Sequence, residues 1–328
     1  MSRPSRALRP APMRLIDSHA HLQVGAFAWD LAAVIADARE AGVERILVPG
    51  WDAESSAAAV SLAGEWGMDA AVGAHPHDAA LVTDEDWAAI VELAQASVVV
   101  AIGETGLDYD RLHSPRKAQL ANLRRHLRLS LDTGKPAILH CRSAAGKRDA
   151  QDALIAELRT AGFGGAAARD AFGDCPPAVL HSFSGPVDYA AAALEMGIAI
   201  GFGGLVFRQG EEASAEVARL VPAELLLIET DSPYLAPPGV PRHKPARGAT
   251  AASRAPAASG AVGAYAAPTE AATPATDITT GFSGRRNSPE WVRITAEWLV
   301  KQRGQTPDTI GAGLVAAYDA TFRRRSEG

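Results

Sequence analysis

Val98-Val99-Val100-Ala101-Ile102-Gly103-Glu104 is five apolar residues in a row, then a glycine, then a carboxylate. A run this apolar, with no alternation, suits a parallel strand buried on both faces. Seven more short runs share that character: Met13 to Ile16, Arg45 to Gly50, Asp69 to His75, Pro136 to His140, Ala178 to His181, Gly197 to Phe202 and Leu225 to Asp231. Between them, apolar residues recur at three- and four-residue spacing over Asp30 to Ala41, Ala53 to Trp66, Asp84 to Ala96, Pro115 to Thr133, Asp149 to Ala161, Val187 to Met196 and Glu211 to Leu220. That spacing predicts helices. Gly42, Gly67, Gly134, Gly162 and Gly197 stand where helix C-caps belong. Two more helices, Pro289 to Arg303 and Pro307 to Arg323, follow the last run. Eight strands alternating with helices predict an α/β fold, a single-domain (β/α)8 TIM barrel. A doubly wound open sheet is the alternative, but no glycine-rich phosphate turn occurs early in the chain.

A barrel of this kind carries its active site at the C-terminal ends of its strands. Metal-ligating residue types stand there: His19 and His21 after the first run, then Glu104, His140, His181 and Asp231, with His75 ending the third. In a strand, residues two apart share a face, so Asp17, His19 and His21 point one way. Imidazole and carboxylate together suit divalent metals, and a carboxylate can bridge two of them. The expected arrangement has His19, His21, Glu104 and Asp231 around one ion, and Glu104, His140 and His181 around a second. The identity of the ions (Mg, Mn or Zn) is left open. Two such ions, ~3.5–4 Å apart, would clamp the attacking and leaving oxygens of a phosphoryl displacement and lower the pKa of a bound water to give hydroxide. Asp231 is the expected base for that water, which makes Asp231 and Glu104 the catalytic pair. His75 is expected to contact the substrate phosphate or protonate the leaving group. Arg142, two residues past His140, is expected to face the same mouth and pair with a phosphate. Asp17 is read as a carboxylate that orients a histidine.

The chain has 328 residues, a net charge of -6, 47% hydrophobic and 21% charged residues. These values fit a soluble globular protein with a sizeable core and lack the basic footprint of a stoichiometric nucleic-acid binder. No apolar run reaches the ~18 residues of a membrane span. Two cysteines, Cys141 and Cys175, are too few for a disulfide framework, and reduced thiols point to a cytoplasmic protein. Nothing calls for an obligate protein partner. Residues 1–12 read as a disordered arm without a secretory signal, with Met13 an alternative start. Residues 13–323 form the expected barrel and 324–328 a tail. Within the barrel, 242–286 turns to Ala, Pro, Gly, Ser and Thr without periodicity, which predicts a disordered insertion after the eighth strand. Phe163 to Pro177 is expected to be a surface loop.

Seven motifs carry a resemblance: Asp17-Ser18-His19-Ala20-His21-Leu22, Gly73-Ala74-His75-Pro76, Gly103-Glu104-Thr105-Gly106-Leu107-Asp108-Tyr109, His140-Cys141-Arg142, His181-Ser182-Phe183-Ser184-Gly185, Glu229-Thr230-Asp231-Ser232-Pro233-Tyr234-Leu235 and Arg286-Asn287-Ser288-Pro289. In this order they resemble the TatD family of metal-dependent deoxyribonucleases, in the amidohydrolase-like TIM-barrel superfamily. The resemblance implies a two-metal hydrolase of ester bonds that acts on DNA, single-stranded or at 3′ ends, as a 3′–5′ exonuclease. It also implies the metal roles given above. The alternative is a metal-dependent carboxylic ester or amide hydrolase, such as a D-aminoacyl-tRNA deacylase, since hydroxide attacks carbon as well as phosphorus. Three departures stand out. Ser143 and Gln23 occupy positions where the family commonly has aspartate, and the 242–286 stretch separates Leu235 from Arg286.

Overall fold

The computed structural model describes residues 13–241 and 285–323. The expectations for the 1–12 arm, the 324–328 tail and residues 242–284 of the insertion lie outside these residues. The eight strands are β1 (Leu15–Asp17), β2 (Val43–Pro49), β3 (Asp69–Val72), β4 (Val99–Asp108), β5 (Ala137–Arg142), β6 (Ala178–Leu180), β7 (Ala199–Phe202) and β8 (Leu226–Ile228). They pair in sequence order, each neighbour parallel, in one sheet. The sheet nearly closes: the Ser18 amide donates to the Ile228 carbonyl at 3.0 Å, Asp231 to His19 at 2.8 Å and His21 to Ser232 at 2.7 Å. The result is a nearly closed barrel whose strands are buried almost throughout, which is why they lack alternation.

Helices follow the strands: α1 (Leu31–Glu40), α2 (Ala53–Trp66), α3 (Asp84–Leu93), α4 (Arg116–Thr133), α5 (Asp149–Ala161), α6 (Ala166–Phe172), α7 (Val187–Leu194), α8 (Ala213–Leu220), α9 (Val292–Arg303) and α10 (Pro307–Thr321). Reciprocal caps open two of them. Asp52 and Ser55 exchange bonds at the start of α2, and Thr83 and Asp86 at the start of α3. Each cap contributes about 1 kcal/mol. Two sequence expectations change. The 163–177 stretch is not simply a loop, because α6 forms there and buries Ala168 and Phe172. β4 does not stop at Glu104 but continues to Asp108, because Thr105 to Asp108 pair with Leu139 to Arg142.

That continuation positions the key carboxylate. Ile102 pairs with Ala137 but Thr105 with Leu139, so β4 carries one extra residue at Gly103-Glu104. A bulge re-aims a side chain at the rim of a barrel. Gly103 has φ +136°, and a Cβ there would sit 2.6 Å from the Ile138 carbonyl oxygen. Only glycine allows this close approach.

Candidate metal centre

Glu104 is 3% exposed and its two oxygens face two different sets of histidines. Oε2 lies 3.2 Å from His19 Nε2 and 3.7 Å from His21 Nε2. Oε1 lies 2.9 Å from His181 Nε2, 3.2 Å from His140 Nδ1 and 3.2 Å from His75 Nε2. Asp231 Oδ1 joins the first set, 3.5 Å from His21 Nε2 and 3.9 Å from His19 Nε2. Glu104 thus lies between the two sets, with His19 and His21 at one oxygen and His140 and His181 at the other, while Asp231 reaches the pair His19 and His21 rather than Glu104 itself. His75 converges too, on the Oε1 side.

The backbone explains the convergence. Past β1 the chain stays extended between neighbours: Ala20 donates to Leu47 and bridges Ser232. His19 and His21 therefore remain two apart on one face, with Nε2 atoms 3.2 Å from each other. Asp17 does not orient an imidazole. Its Oδ1 accepts from the amides of His19 (3.3 Å) and Thr230 (2.9 Å), and its Oδ2 from the Thr230 hydroxyl at 2.6 Å, so it clasps the β1–β8 seam. Arg142 is half exposed and its Nε donates to Asp110 at 2.8 Å, away from Glu104. Both cysteines are free thiols, and burial pushes the Cys141 thiol up to about 12. Arg286 and Asn287 return to the rim despite the insertion. Arg286 pairs with Asp30 at 2.6 Å, and buried Asn287 donates to the Thr230 carbonyl at 2.8 Å.

Three contributors go beyond the expected ligands: the sequence does not single out Glu229 or His77, and it marks Asp108 only as a turn residue that shapes the mouth. Glu229 is fully buried, 3.3 Å from His181 Nδ1, and accepts from the Ser182 amide and the Ser18 hydroxyl. Asp108 Oδ2 lies 3.3 Å from His140 Nε2 and 2.8 Å from His77 Nε2. His77 itself completes that contact. Available signals were the carboxylate two residues before Asp231 and the histidine two residues after His75. Gly201 leaves the space for Glu229, since a Cβ there would meet its Oε2 at 2.6 Å.

The electrostatics follow from burial and these partners. Burial works to raise the Glu104 carboxyl, but His181, His75 and His19 outweigh it and hold it well below the ordinary range. Burial also opposes ionisation of Asp231 and Asp108, and in each case histidines win and lower the carboxyl. Burial lowers His19, and pushes His75 down to about 3. His140 and His181 go up against the same burial, because Asp108 and Glu104 grip the first, and Glu104 and Glu229 the second. Burial pushes Asp17 up to about 8.

The donor set fits divalent metal ions. Among the described residues, every ion pair reaching Glu104, Glu229 or Asp231 comes from a histidine. Buried carboxylates without lysine or arginine need another cation. His181 has both ring nitrogens buried without a hydrogen bond, although Nε2 is only 2.9 Å from a carboxylate oxygen. Ligand-ready groups form at His19, His21 and Glu104, at His75, Glu104 and His140, and at His19, His181 and Glu229.

Buried His/Glu clusters suited to two metals, set at the rim of a nearly closed parallel barrel, define a metal-dependent hydrolase. The chain belongs to the TatD family: the family of TatD related DNases matches residues 16–323. The Bacillus subtilis protein YabD, described as an uncharacterized metal-dependent hydrolase, is 36% identical over 94% of this chain and 99% of its own length. The Escherichia coli 3′-5′ ssDNA/RNA exonuclease TatD is 36% identical over 68% of this chain and 80% of its own length. In fold, the chain is similar to the TatD homologue YJJV of Escherichia coli, with a TM-score of 0.71 and 24% identity over 94% of this chain and 98% of that one. No helix among the described residues is long and apolar enough to cross a membrane.

Proposed function

We propose that this protein hydrolyses phosphodiester bonds of single-stranded DNA, working from the 3′ end. The division of Glu104 between two histidine sets carries the reading. The 36% identity to 3′-5′ ssDNA/RNA exonucleases of Escherichia coli and Edwardsiella piscicida supports the choice of substrate. His19, His21, Glu104 and Asp231 would hold one ion, and Glu104, His140 and His181 the other. When bound, a pair of divalent ions supplies an activated water and positive charge against the developing phosphorane.

The chain's own residues do the rest. Asp231, ionised and 15% exposed at its side chain, sits at the mouth and accepts the proton of the attacking water. Glu104 keeps the two sets at fixed separation because a glycine bulge fixes its backbone. Asp108 and Glu229 hold the rings of His140 and His181 in orientation. His75 and Arg142 are assigned to the substrate phosphates. His75 lies within the cluster, whereas Arg142 would exchange part of its contact with Asp110 for an incoming strand.

The experiment is digestion of a labelled single-stranded oligonucleotide with divalent metal, beside Glu104→Ala and Asp231→Ala proteins whose folding is checked by circular dichroism. The expected result is loss of hydrolysis in both variants with folding retained. Wild-type rates in either variant would refute the assignment. Release from D-aminoacyl-tRNA without release from DNA would transfer the same centre to ester hydrolysis.

A further inference from the structure

Two aromatic rings that the metal chemistry does not use stand beside the first ligand pair. Trp51 follows β2, and Tyr234 follows β8; both strands flank β1, and His21 lies just past its end. The Trp51 ring centroid is 5.4 Å from that of His21, at 71°, and the Tyr234 centroid is 5.9 Å away, at 67°. Each therefore meets the imidazole edge to face. Both residues are only half buried, so each keeps surface at the mouth.

Neither ring hangs on a loose loop. The Trp51 amide donates to the Ser55 hydroxyl at 2.9 Å, inside the cap that opens α2, and the Trp51 carbonyl accepts from His75 at 2.8 Å. The backbone that carries Trp51 thus also carries a residue of the Oε1 set. The Tyr234 amide donates to the Asp231 carbonyl at 2.8 Å, and the preceding Pro233 carbonyl accepts from Asn287 at 3.0 Å. Preorganised aromatic surface next to a reacting centre is suited to a flat apolar group presented by the substrate.

We infer that Trp51 and Tyr234 form a nucleobase platform that stacks the bases next to the scissile phosphate. This deepens the nuclease reading and rests on it. A base stands one sugar away from its phosphate, and these rings stand one imidazole away from the ligand nitrogen of His21. Stacking accepts any base because every base has a π face, and it selects single strands because a paired base already has its faces covered. An ester or amide substrate without bases would have no use for the pair.

The test compares two single-stranded oligonucleotides, one natural and one carrying abasic tetrahydrofuran residues in its last two positions at each end. Both kcat/KM and binding by fluorescence anisotropy are measured. The wild-type enzyme is expected to favour the natural strand about tenfold or more. Trp51→Ala is expected to lose about tenfold in kcat/KM on the natural strand, mostly through KM, with binding weakened in parallel. It should change little on the abasic strand, and Trp51→Phe should restore most of the loss. Tyr234→Ala should behave in the same direction with a smaller effect. Equal losses on both strands would make the rings structural and overturn the inference, as would no loss on either. A wild-type enzyme that cleaves both strands equally well would overturn stacking and leave the nuclease standing. One that cleaves neither strand would overturn the nuclease reading and the platform together.

Discussion

On the Oε2 side of Glu104, the far nitrogens of the histidines meet no carboxylate. His19 Nδ1 is buried without a hydrogen-bond partner, and His21 Nδ1 faces the Pro49 carbonyl at 3.2 Å. On the Oε1 side, His140 and His181 are each held between Glu104 and a second carboxylate, Asp108 or Glu229. The scaffolds differ as well. The Oε2 side stands on a seam clasp of Asp17, Thr230, Ser232 and Asn287. Around His75, the Oε1 side stands on α4, where Asn122 donates to the Ala74 carbonyl at 2.6 Å and His126 accepts from the Ala74 amide at 2.9 Å. One shared carboxylate thus joins a side held by backbone closure to a side held by extra charge. Ligands oriented by carboxylates bind metal more firmly, so the two sides should differ in affinity and in what disturbs them.

The largest effect should come where the comparison collapses, at Glu104 itself. Glu104→Gln removes charge from both sets at once. Hydrolysis should fall by about 10³-fold or more, since roughly 4 kcal/mol of transition-state stabilisation is at stake. Metal content measured on the purified variant should fall on both sides together. Retention of one full equivalent would show that the sides are independent.

Acid should separate the scaffolds. His126 is buried, and burial pushes it down to about 3. Its Nδ1 donates to the Asn122 carbonyl at 2.7 Å and its Nε2 accepts from Ala74, so the fold holds the neutral ring. The unfolded chain takes up this proton near pH ~6.5, the folded chain only near 3. Between those values the unfolded state binds more protons, so stability is complete above the upper value and declines as pH falls. The loss attributable to His126 is about 5 kcal/mol across the window. Urea unfolding of wild type and His126→Gln at neutral and mildly acid pH measures it; the variant should lose less than the wild type. Equal losses would remove His126 from the account.

Asp108→Asn addresses the added charge on the Oε1 side. Affinity for the second ion should weaken by about 10- to 100-fold, with the first ion unaffected. Isothermal titration of the metal-stripped protein checks this, and equal weakening at both sites would contradict the division. The smallest effect belongs to the seam. Thr230→Val deletes the hydroxyl donor to Asp17, leaving the amide donor in place, and should cost about 1–3 kcal/mol of stability while leaving hydrolysis within a few-fold. Denaturant midpoints and rates on one preparation test both halves.

The fold and the residues gathered around Glu104 were legible because most strand ends advertise themselves: a run of apolar residues, then a histidine or a carboxylate, with β2 and β7 the exceptions. The position of Glu104 between two sets of histidines was also readable from the order of the strands. Less legible was whatever depends on the path of the chain beyond a strand. β4 continues past a glycine bulge, and only this extension brings Asp108 onto His140. Glu229 lies two residues before Asp231 but meets His181 instead, because Gly201 on β7 leaves it room. Asp17 alternates correctly with His19 and His21, yet barrel closure gives it the Thr230 amide and hydroxyl as partners. The short α6 was missed because seven residues rich in alanine give little period to read.

Central to the proposal is that the two oxygens of Glu104 would serve two ions. A crystal grown with manganese or zinc, with anomalous scattering recorded at the metal edge, tests it directly. The account requires two peaks that share Glu104, one also bound by His19, His21 and Asp231 and the other by His140 and His181. A single peak, or two peaks of which only one touches Glu104, would contradict it.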